Sequence, residues 1–193
     1  MTWIFGYGSL IHPDSRARTG VTGTAIPVRV RGWQRAWNAL SEKFGMAALG
    51  VVPQAGAGCN GVLVEVPDNQ LGEFDKREAM YARTRLDPAE ISALEPHRLS
   101  PDEAWIYVPL HPERPTTACP IVQSYVDVVL AGCLTIGEAF ATEFMRTTAL
   151  WDAPLVNDRW TPRYPRAEHF PADVLDRVDA LVGEQRRVAQ TRG

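Results

Sequence analysis

Strand-like segments come first along this chain and helix-like segments follow, and that order limits the fold to a few architectures. Before residue 110, six segments rich in β-branched or aromatic residues are bounded by glycine, proline or asparagine, a pattern typical of strands. The pattern predicts an α+β fold whose first half forms a mixed sheet or a small β-barrel. The six segments cover residues 3–7, 26–37, 49–52, 59–66, 81–86 and 104–108.

Helical patterns are concentrated after residue 120. The apolar side chains there recur three or four residues apart, which is typical of helices with one buried face. One short helix is also expected earlier, over residues 69–77, where Leu71 and Phe74 are three residues apart. The positions that define the later helices are Val122, Val126, Val129 and Leu130, then Phe140, Phe144 and Met145, then Val174, Leu175, Val178 and Leu181.

Composition narrows the class of protein. With 193 residues and 45% hydrophobic content, the chain is long enough to bury a core as one domain over residues 1–193. A net charge of −3 argues against general nucleic-acid binding. No apolar run approaches the ~20 residues of a membrane span, and the N-terminus lacks the features of a secretory signal, so we expect a cytoplasmic protein. Three cysteines without CxxC spacing and four scattered histidines predict neither a disulfide framework nor a metal site.

The first 40 residues carry five arginines and one acidic residue. This local charge leaves two interpretations open. Either an anionic small ligand binds near this end, or Arg29 and Arg31 point together from the solvent face of a strand, because alternate residues of a strand share a face.

The segment WIFGYGSLI, residues 3–11, ends a strand in a glycine turn. Gly6 and Gly8 fit neither a P-loop nor a dinucleotide fingerprint, and Ser9 lacks the following glycine of a hydrolase nucleophile elbow. Two interpretations remain. The turn is an ordinary strand ending, or its glycines allow successive backbone N–H groups to face inward and bind a carboxylate or an oxyanion.

The segment FDKREAMYAR, residues 74–83, is rich in ionisable groups. Such a cluster is typical of a solvated helix end. Glu78, however, lies where the helix over 69–77 is expected to give way to a strand beginning at Tyr81, and a carboxylate at such a junction can enter a cleft at the sheet edge. Partial burial there would raise its pKa, as proton transfer near neutral pH requires.

Together these segments resemble the γ-glutamylcyclotransferase superfamily. FGYGSLI, PVRVRGWQRAWN, GVLVEV, FDKREAMYARTRL and PIVQSYVDVVLAGC occur in the family's order over about residues 3–140, and YGSLI followed by Pro13 is most similar to the glutathione-specific ChaC-type branch. The resemblance implies a mixed β-barrel with flanking helices. It also implies that a loop cradles the γ-glutamyl group and that Glu78 is the catalytic acid/base. The implied loop residues are Tyr7, Gly8, Ser9 and Leu10.

The reaction implied by the resemblance is an intramolecular aminolysis. The α-amine of a small γ-glutamyl substrate attacks the γ-amide carbonyl, expels an amine and leaves 5-oxoproline, a reaction that requires no metal or redox cofactor. The expected substrate is glutathione or a γ-glutamyl amino acid. Two alternatives stay open: a cyclotransferase that acts on γ-glutamylamines, and a non-catalytic module that binds γ-glutamyl or other anionic metabolites.

Five further residues remain: three with two open interpretations and two cysteines with a structural one. Tyr125 corresponds approximately to a family tyrosine that lines the site, and it equally fits the apolar face of its helix. Tyr81 and Arg83 share a strand face, where they either flank Glu78 or decorate the sheet. Cys59 and Cys133 lie in apolar patterns, which is typical of buried core thiols.

A C-terminal extension, WDAPLVNDRWTPRYPRAEH, occupies residues 151–169 beyond the resemblance and is called the strap below. Its two tryptophans and three prolines predict an ordered, extended segment that packs through its aromatic rings. If the strap covers the cleft, then Arg159, Arg163 or Arg166 pairs with a substrate carboxylate. Otherwise these arginines lie on the surface. Nothing in the sequence predicts an oligomeric state.

Overall fold

The computed structural model describes residues 2–94 and 103–191. In this part of the chain, nine strands form one curled, half-barrel sheet with helices around it, which confirms the predicted α+β architecture. The strands are β1 (Thr2–Gly6), β2 (Ala25–Ser41), β3 (Met46–Val66), β4 (Tyr81–Leu86), β5 (Ile91–Ala93), β6 (Ala104–Pro109), β7 (Ile121–Val122), β8 (Thr148–Ala149) and β9 (Leu155–Val156). The α-helices are α1 (Pro13–Ala17), α2 (Leu71–Arg77), α3 (Gln123–Ile136), α4 (Glu138–Thr147) and α5 (Ala172–Gln190).

The long antiparallel hairpin of β2 and β3 forms the middle of the sheet, and β3 is one strand where the sequence predicted two. The prediction failed because residues 54–57, which suggested a glycine-rich loop, form an exposed bulge opposite Gly32 while pairing continues on both sides. Gly32 has a φ of +82°, a conformation that favours glycine. Bulges bend and twist a strand, so this hairpin curls the sheet.

β1 occupies a central position in the strand order β4-β6-β1-β3-β2-β5. It pairs parallel with β6 and antiparallel with β3. Because parallel strands end at the same edge, the residues that follow Gly6 emerge beside the end of β6, at the centre of that edge. The glycine turn is therefore held by neighbouring strands on both sides.

The predicted helices are found with small shifts of their ends. A 3-10 turn over Asp68–Gln70 leads into α2, and α3 begins at Gln123 after the two-residue strand β7. All residues of α3 from Gln123 to Cys133 are buried. It is therefore a core helix, whereas the sequence pattern predicted a helix with one buried and one solvent-exposed face. The sequence patterns missed α1, β5, β7, β8 and β9, because elements of two to five residues are too short to show a period. No helix in the described part of the chain combines the length and the apolar character needed to cross a lipid bilayer.

Arg35 joins the sheet to α4 and to the end of β1. Its side chain is fully buried and its guanidinium lies 3.6 Å from the centre of the Phe144 ring. Burial lowers its pKa because the charged form loses its hydration. It donates to Thr148 Oγ1 at 2.7 Å, Asn60 O at 2.5 Å, Asn60 Oδ1 at 3.0 Å, Thr147 Oγ1 at 2.9 Å, Phe144 O at 3.1 Å and Tyr7 O at 3.4 Å.

Candidate active site

One cavity of about 160 Å³ lies at the edge of the sheet where β1 and β6 end. Four parts of the chain surround it: the turn after β1, the β2–β3 hairpin near its turn, the junction between α2 and β4, and the strap. Tyr107 and Tyr125 complete the lining. Every residue that the sequence analysis placed in the site lines this cavity. These residues are Tyr7, Gly8, Ser9, Leu10, Glu78, Tyr81 and Tyr125.

The turn after β1 is a tight 3-10 turn that begins after Gly8. The Ile11 N–H donates to Gly8 O at 2.9 Å and the His12 N–H donates to Ser9 O at 3.1 Å. The first amides of a helical turn have no acceptor within it, so the N–H groups around Gly8 and Ser9 remain available to a ligand. The glycine is required by crowding, since a Cβ on Gly8 would lie 2.9 Å from Tyr125 Oη.

Glu78 is delivered to the cavity by the end of α2. Its N–H donates to Phe74 O at 2.9 Å, and the Tyr81 N–H donates to Glu78 O at 2.8 Å, so the chain turns sharply from helix into β4. The Glu78 side chain is 17% exposed. Burial raises its pKa, while the nearby positive charges of Arg77 and Arg166 oppose this rise.

Arg77 ties Glu78 to the glycine turn, and the sequence analysis gave it no role. Its Nε lies 3.0 Å from Glu78 Oε1 and its Nη2 donates to Ser9 Oγ at 2.8 Å. Its Nη1 also hydrogen-bonds Thr19 Oγ1 and, at 3.4 Å, Ser15 O. Consecutive residues do not face each other within a helix, but Glu78 lies past the helix end with φ −97° and ψ +34°. This local change of conformation is what allows neighbours 77 and 78 to pair.

Tyrosines form much of the cavity wall. The Tyr7 hydroxyl donates to Tyr107 O at 2.5 Å and the Tyr81 hydroxyl donates to Leu49 O at 3.0 Å. Desolvation raises the pKa of Tyr7, Tyr81 and Tyr125, so these phenols stay neutral at physiological pH. In this neutral form they add no negative charge beside Glu78.

The sequence region that builds this cavity matches a known family. Residues 4–125 match the model of the family described as "Gamma-glutamyl cyclotransferase, AIG2-like". The chain belongs to this family. No curated protein is similar enough in sequence to match the chain.

Solved structures show the cyclotransferase fold in the wider chain. A structure titled "Gamma-glutamyl cyclotransferase" is 11% identical with a TM-score of 0.63, and the alignment covers 93% of this chain and 98% of that one. An uncharacterized human protein, loc79017, is 12% identical with a TM-score of 0.61, covering 92% and 98%. YkqA from Bacillus subtilis is 17% identical with a TM-score of 0.59, covering 80% and 56%.

Within this family framework, Tyr125 both packs and lines the cavity. Its ring meets that of Trp37 edge-on at 5.7 Å and that of Tyr164 at 4.6 Å, while its hydroxyl faces Gly8. The two interpretations from the sequence are therefore compatible. Arg83, by contrast, pairs with Asp75 at 3.2 Å and stacks over Trp105, outside the cavity lining.

The strap lies beyond the family match and covers the cavity through residues 164–166. Arg159 does not reach the cavity, because it pairs with Asp127 at 2.8 Å and Asp179 at 2.6 Å. Arg163 donates to Gly45 O at 2.9 Å. Of the three strap arginines, only Arg166 lines the cavity.

The remaining candidates have structural surroundings. Arg29 and Arg31 are exposed, as the solvent-face interpretation predicted; Arg29 forms a bidentate pair with Glu143 at 2.6 Å and Arg31 donates to Ala89 O. Cys59 and Cys133 are fully buried core thiols, and burial raises the pKa of both.

One cluster of metal-ligand types occurs in the described part of the chain, although the sequence spacing predicted none. His12, Asp14 and Glu168 each place a potential ligand atom within 4.8 Å of the others. Asp14 is exposed and Arg18 Nη2 already lies 3.7 Å from Glu168 Oε1. The cluster therefore has an opposing cation beside it, and we assign no metal to it.

Proposed function

We propose that this protein is a γ-glutamylcyclotransferase, which converts a small γ-glutamyl substrate into 5-oxoproline and a free amine. Family membership supports the general reaction. The observation that carries the proposal is the shielded carboxylate of Glu78, which faces the same cavity as the glycine turn and is joined to it through Arg77 and Ser9.

In the proposed reaction, Glu78 first accepts a proton as a base and later donates it as an acid. Its carboxylate takes a proton from the α-ammonium group of the substrate, and the freed nitrogen attacks the γ-carbonyl carbon to close a five-membered ring. When the tetrahedral intermediate collapses, the bond to the leaving nitrogen breaks and Glu78 returns the proton to that nitrogen. The ring nitrogen releases its one remaining extra proton to solvent, so the products are the neutral lactam and the free amine. General acid–base catalysis of this kind contributes about 10²–10⁴ in rate. A pKa raised by burial suits a group that must both accept and donate a proton.

The oxyanion of the intermediate needs hydrogen-bond donors. The backbone N–H groups between Tyr7 and Leu10 face this position in the proposal, and the Tyr125 hydroxyl lies beside Gly8. A fixed donor of this type is worth roughly 3 kcal/mol. The substrate's own amine is the nucleophile, so Ser9 needs no nucleophilic role and its hydroxyl serves as an acceptor for Arg77.

A product assay with a matched pair of variants tests the proposal. The protein is incubated with glutathione, γ-glutamyl dipeptides and γ-glutamylamines, and 5-oxoproline is measured by mass spectrometry. Glu78→Gln keeps the shape of the side chain but cannot take the proton, so we expect kcat to fall by about 10²–10⁴. Glu73→Gln, on the exposed face of the same helix, is expected to leave kcat unchanged. Absence of 5-oxoproline with every substrate, or full activity of Glu78→Gln, would contradict the proposal.

A further inference from the structure

One guanidinium in the cavity lining has no hydrogen-bond or salt-bridge partner in the part of the chain that the structure describes. Arg166 lines the cavity and is partly buried, yet within the described residues it makes no hydrogen bond or salt bridge. The other arginine in the lining, Arg77, is fully engaged by Glu78, Ser9, Ser15 and Thr19. Arg166 is therefore the cation that remains available to an anionic ligand.

The backbone around Arg166 is firmly placed. Asp158 accepts from Ser124 N and Ser124 Oγ, both at 2.7 Å, and from Arg163 N at 2.8 Å. Tyr164 packs on Tyr125 with ring centres 4.6 Å apart. These contacts hold the strap from several directions. The backbone that carries the Arg166 guanidinium into the cavity lining is therefore ordered. Its charge also reaches Glu78, where it opposes the rise in pKa.

Two exposed side chains in the same cavity lining as Arg166 are apolar. Phe44 and Met80 line the same cavity and are 38% and 49% exposed. A cation next to exposed apolar side chains matches a ligand that carries a carboxylate and an aliphatic side chain, because Arg offers a planar fork to carboxylates. An amino acid with an apolar side chain has both features, whereas a simple amine lacks the carboxylate.

We propose that Arg166 forms a carboxylate subsite for the leaving group, which selects γ-glutamyl amino acids with apolar side chains over γ-glutamylamines. The inference rests on the proposed function. In that reaction the γ-glutamyl head lies between the glycine turn and Glu78, so the leaving residue extends toward Arg166, Phe44 and Met80. The strap, which lies outside the family match, would thus supply the specificity of this chain.

Two substrates that differ only in the carboxylate provide the test. We compare kcat/KM for γ-glutamyl-leucine and for γ-glutamyl-isopentylamide, the same compound without the leucine carboxylate. The wild-type protein is expected to prefer γ-glutamyl-leucine by about 10- to 100-fold, the range of a charge-assisted contact. Arg166→Gln is expected to bring this ratio near one, and Arg166→Lys is expected to keep an intermediate preference because it retains charge but not the fork.

The ratio isolates the subsite from other effects of the substitution. Loss of the Arg166 charge also raises the pKa of Glu78, but this affects both substrates equally and cancels. Arg163→Gln loosens the same strap without changing the cavity lining and is expected to leave the ratio unchanged. Thermal unfolding of each variant checks that the fold is intact.

The possible failures are distinguishable. If the wild-type protein releases 5-oxoproline but shows no preference for γ-glutamyl-leucine, or if Arg166→Gln lowers kcat/KM for both substrates to the same extent, the subsite is refuted and the proposed function stands. If the wild-type protein releases no 5-oxoproline from any substrate, both proposals fail.

Discussion

The two walls of the cavity are built in different ways. In the wall formed by the glycine turn and Glu78, the turn follows the central strand β1, which is paired on both sides, and Arg35 donates to Tyr7 O. Glu78 precedes β4, the outermost strand on one side of the sheet. The opposite wall is the strap, most of which has no regular secondary structure and is held by side-chain contacts such as those of Asp158 and Arg159.

This difference separates two tasks. Proton transfer and oxyanion stabilisation need groups fixed within fractions of an ångström, and the proposed groups for these steps are on the sheet side. Recognition of a variable leaving group needs a wall that can differ between related proteins, and loops carry such roles more often than strands. The predictions below perturb one wall at a time.

The largest loss of stability is expected from Arg35→Met, which removes the buried cation on the sheet side of the cavity. Several buried acceptors lose their donor, and each unsatisfied acceptor costs about 1–3 kcal/mol, so we expect the free energy of unfolding to fall by at least about 3 kcal/mol. Urea denaturation measures this change. Arg29→Met removes a surface pair from the same strand and is expected to cost no more than about 1 kcal/mol. Equal losses in the two variants would show that the buried hydrogen bonds of Arg35 stabilise the fold no more than the surface pair of Arg29 does.

A smaller effect on stability is expected when the strap is released. Asp158→Ala removes three hydrogen bonds, including one to the first turn of α3, and should cost about 1–3 kcal/mol. Because the strap forms one wall of the cavity, we also expect a higher KM. Asp152→Ala is the control, since Asp152 is an exposed strap residue that pairs with Arg114 at the surface. An equal KM in both variants would show that the strap does not contribute to substrate binding.

The smallest effect on stability is expected from the titration of His12, which lies where the glycine turn meets the strap. Its Nδ1 lies 3.9 Å from Glu168 Oε1, Phe170 packs on the ring, and the charged groups of Asp14, Arg16 and Arg18 are close by. Burial lowers the pKa of His12 below the ordinary 6.5, although Glu168 and Asp14 oppose this. The unfolded chain then binds a proton more readily, so stability is complete above pH 6.5 and declines as pH falls toward the folded-state pKa.

The expected loss between pH 8 and pH 5.5 is at most about 1.4 kcal/mol, because pH 5.5 lies one unit below the ordinary pKa of 6.5, and His12→Gln should remove that part of the pH dependence. Denaturation of the wild type, of His12→Gln and of a control, the exposed His111→Gln, measures it. If His12→Gln shows the same pH dependence as the wild type, the neutral buried imidazole is not its source.

The sheet-side wall could be foreseen from the sequence because its signals are local. Gly6, Gly8 and Ser9 stand next to a strand-like segment, and Glu78 stands at a junction of helix and strand. The role of Arg77 could not be foreseen, because it depends on the backbone turning after residue 77 so that adjacent side chains converge. The sequence pattern placed the end of this helix at residue 77, but it does not give the backbone angles of Glu78 that bring the two side chains together.

Arg35 shows why alternation along a strand can mislead. In the first part of β2 the even-numbered residues are buried and Arg29 and Arg31 are exposed. The bulge at Gly32 shifts the pairing by three residues, because Gly32 alone faces residues 54–57, and after it Trp33, Arg35 and Trp37 are buried. The sequence pattern alone places Arg35 with the exposed arginines. The contacts of the strap could not be predicted for another reason: those with α3 and the β2–β3 turn join residues far apart in sequence.

The tether formed by Arg77 has a further consequence for the way this cavity responds to its occupant. The Arg77 guanidinium binds both Ser9 in the turn and the Glu78 carboxylate. A displacement of either is therefore transmitted to the other. Substrate entry is accordingly expected to leave the gap between Ser9 and Glu78 at its resting width.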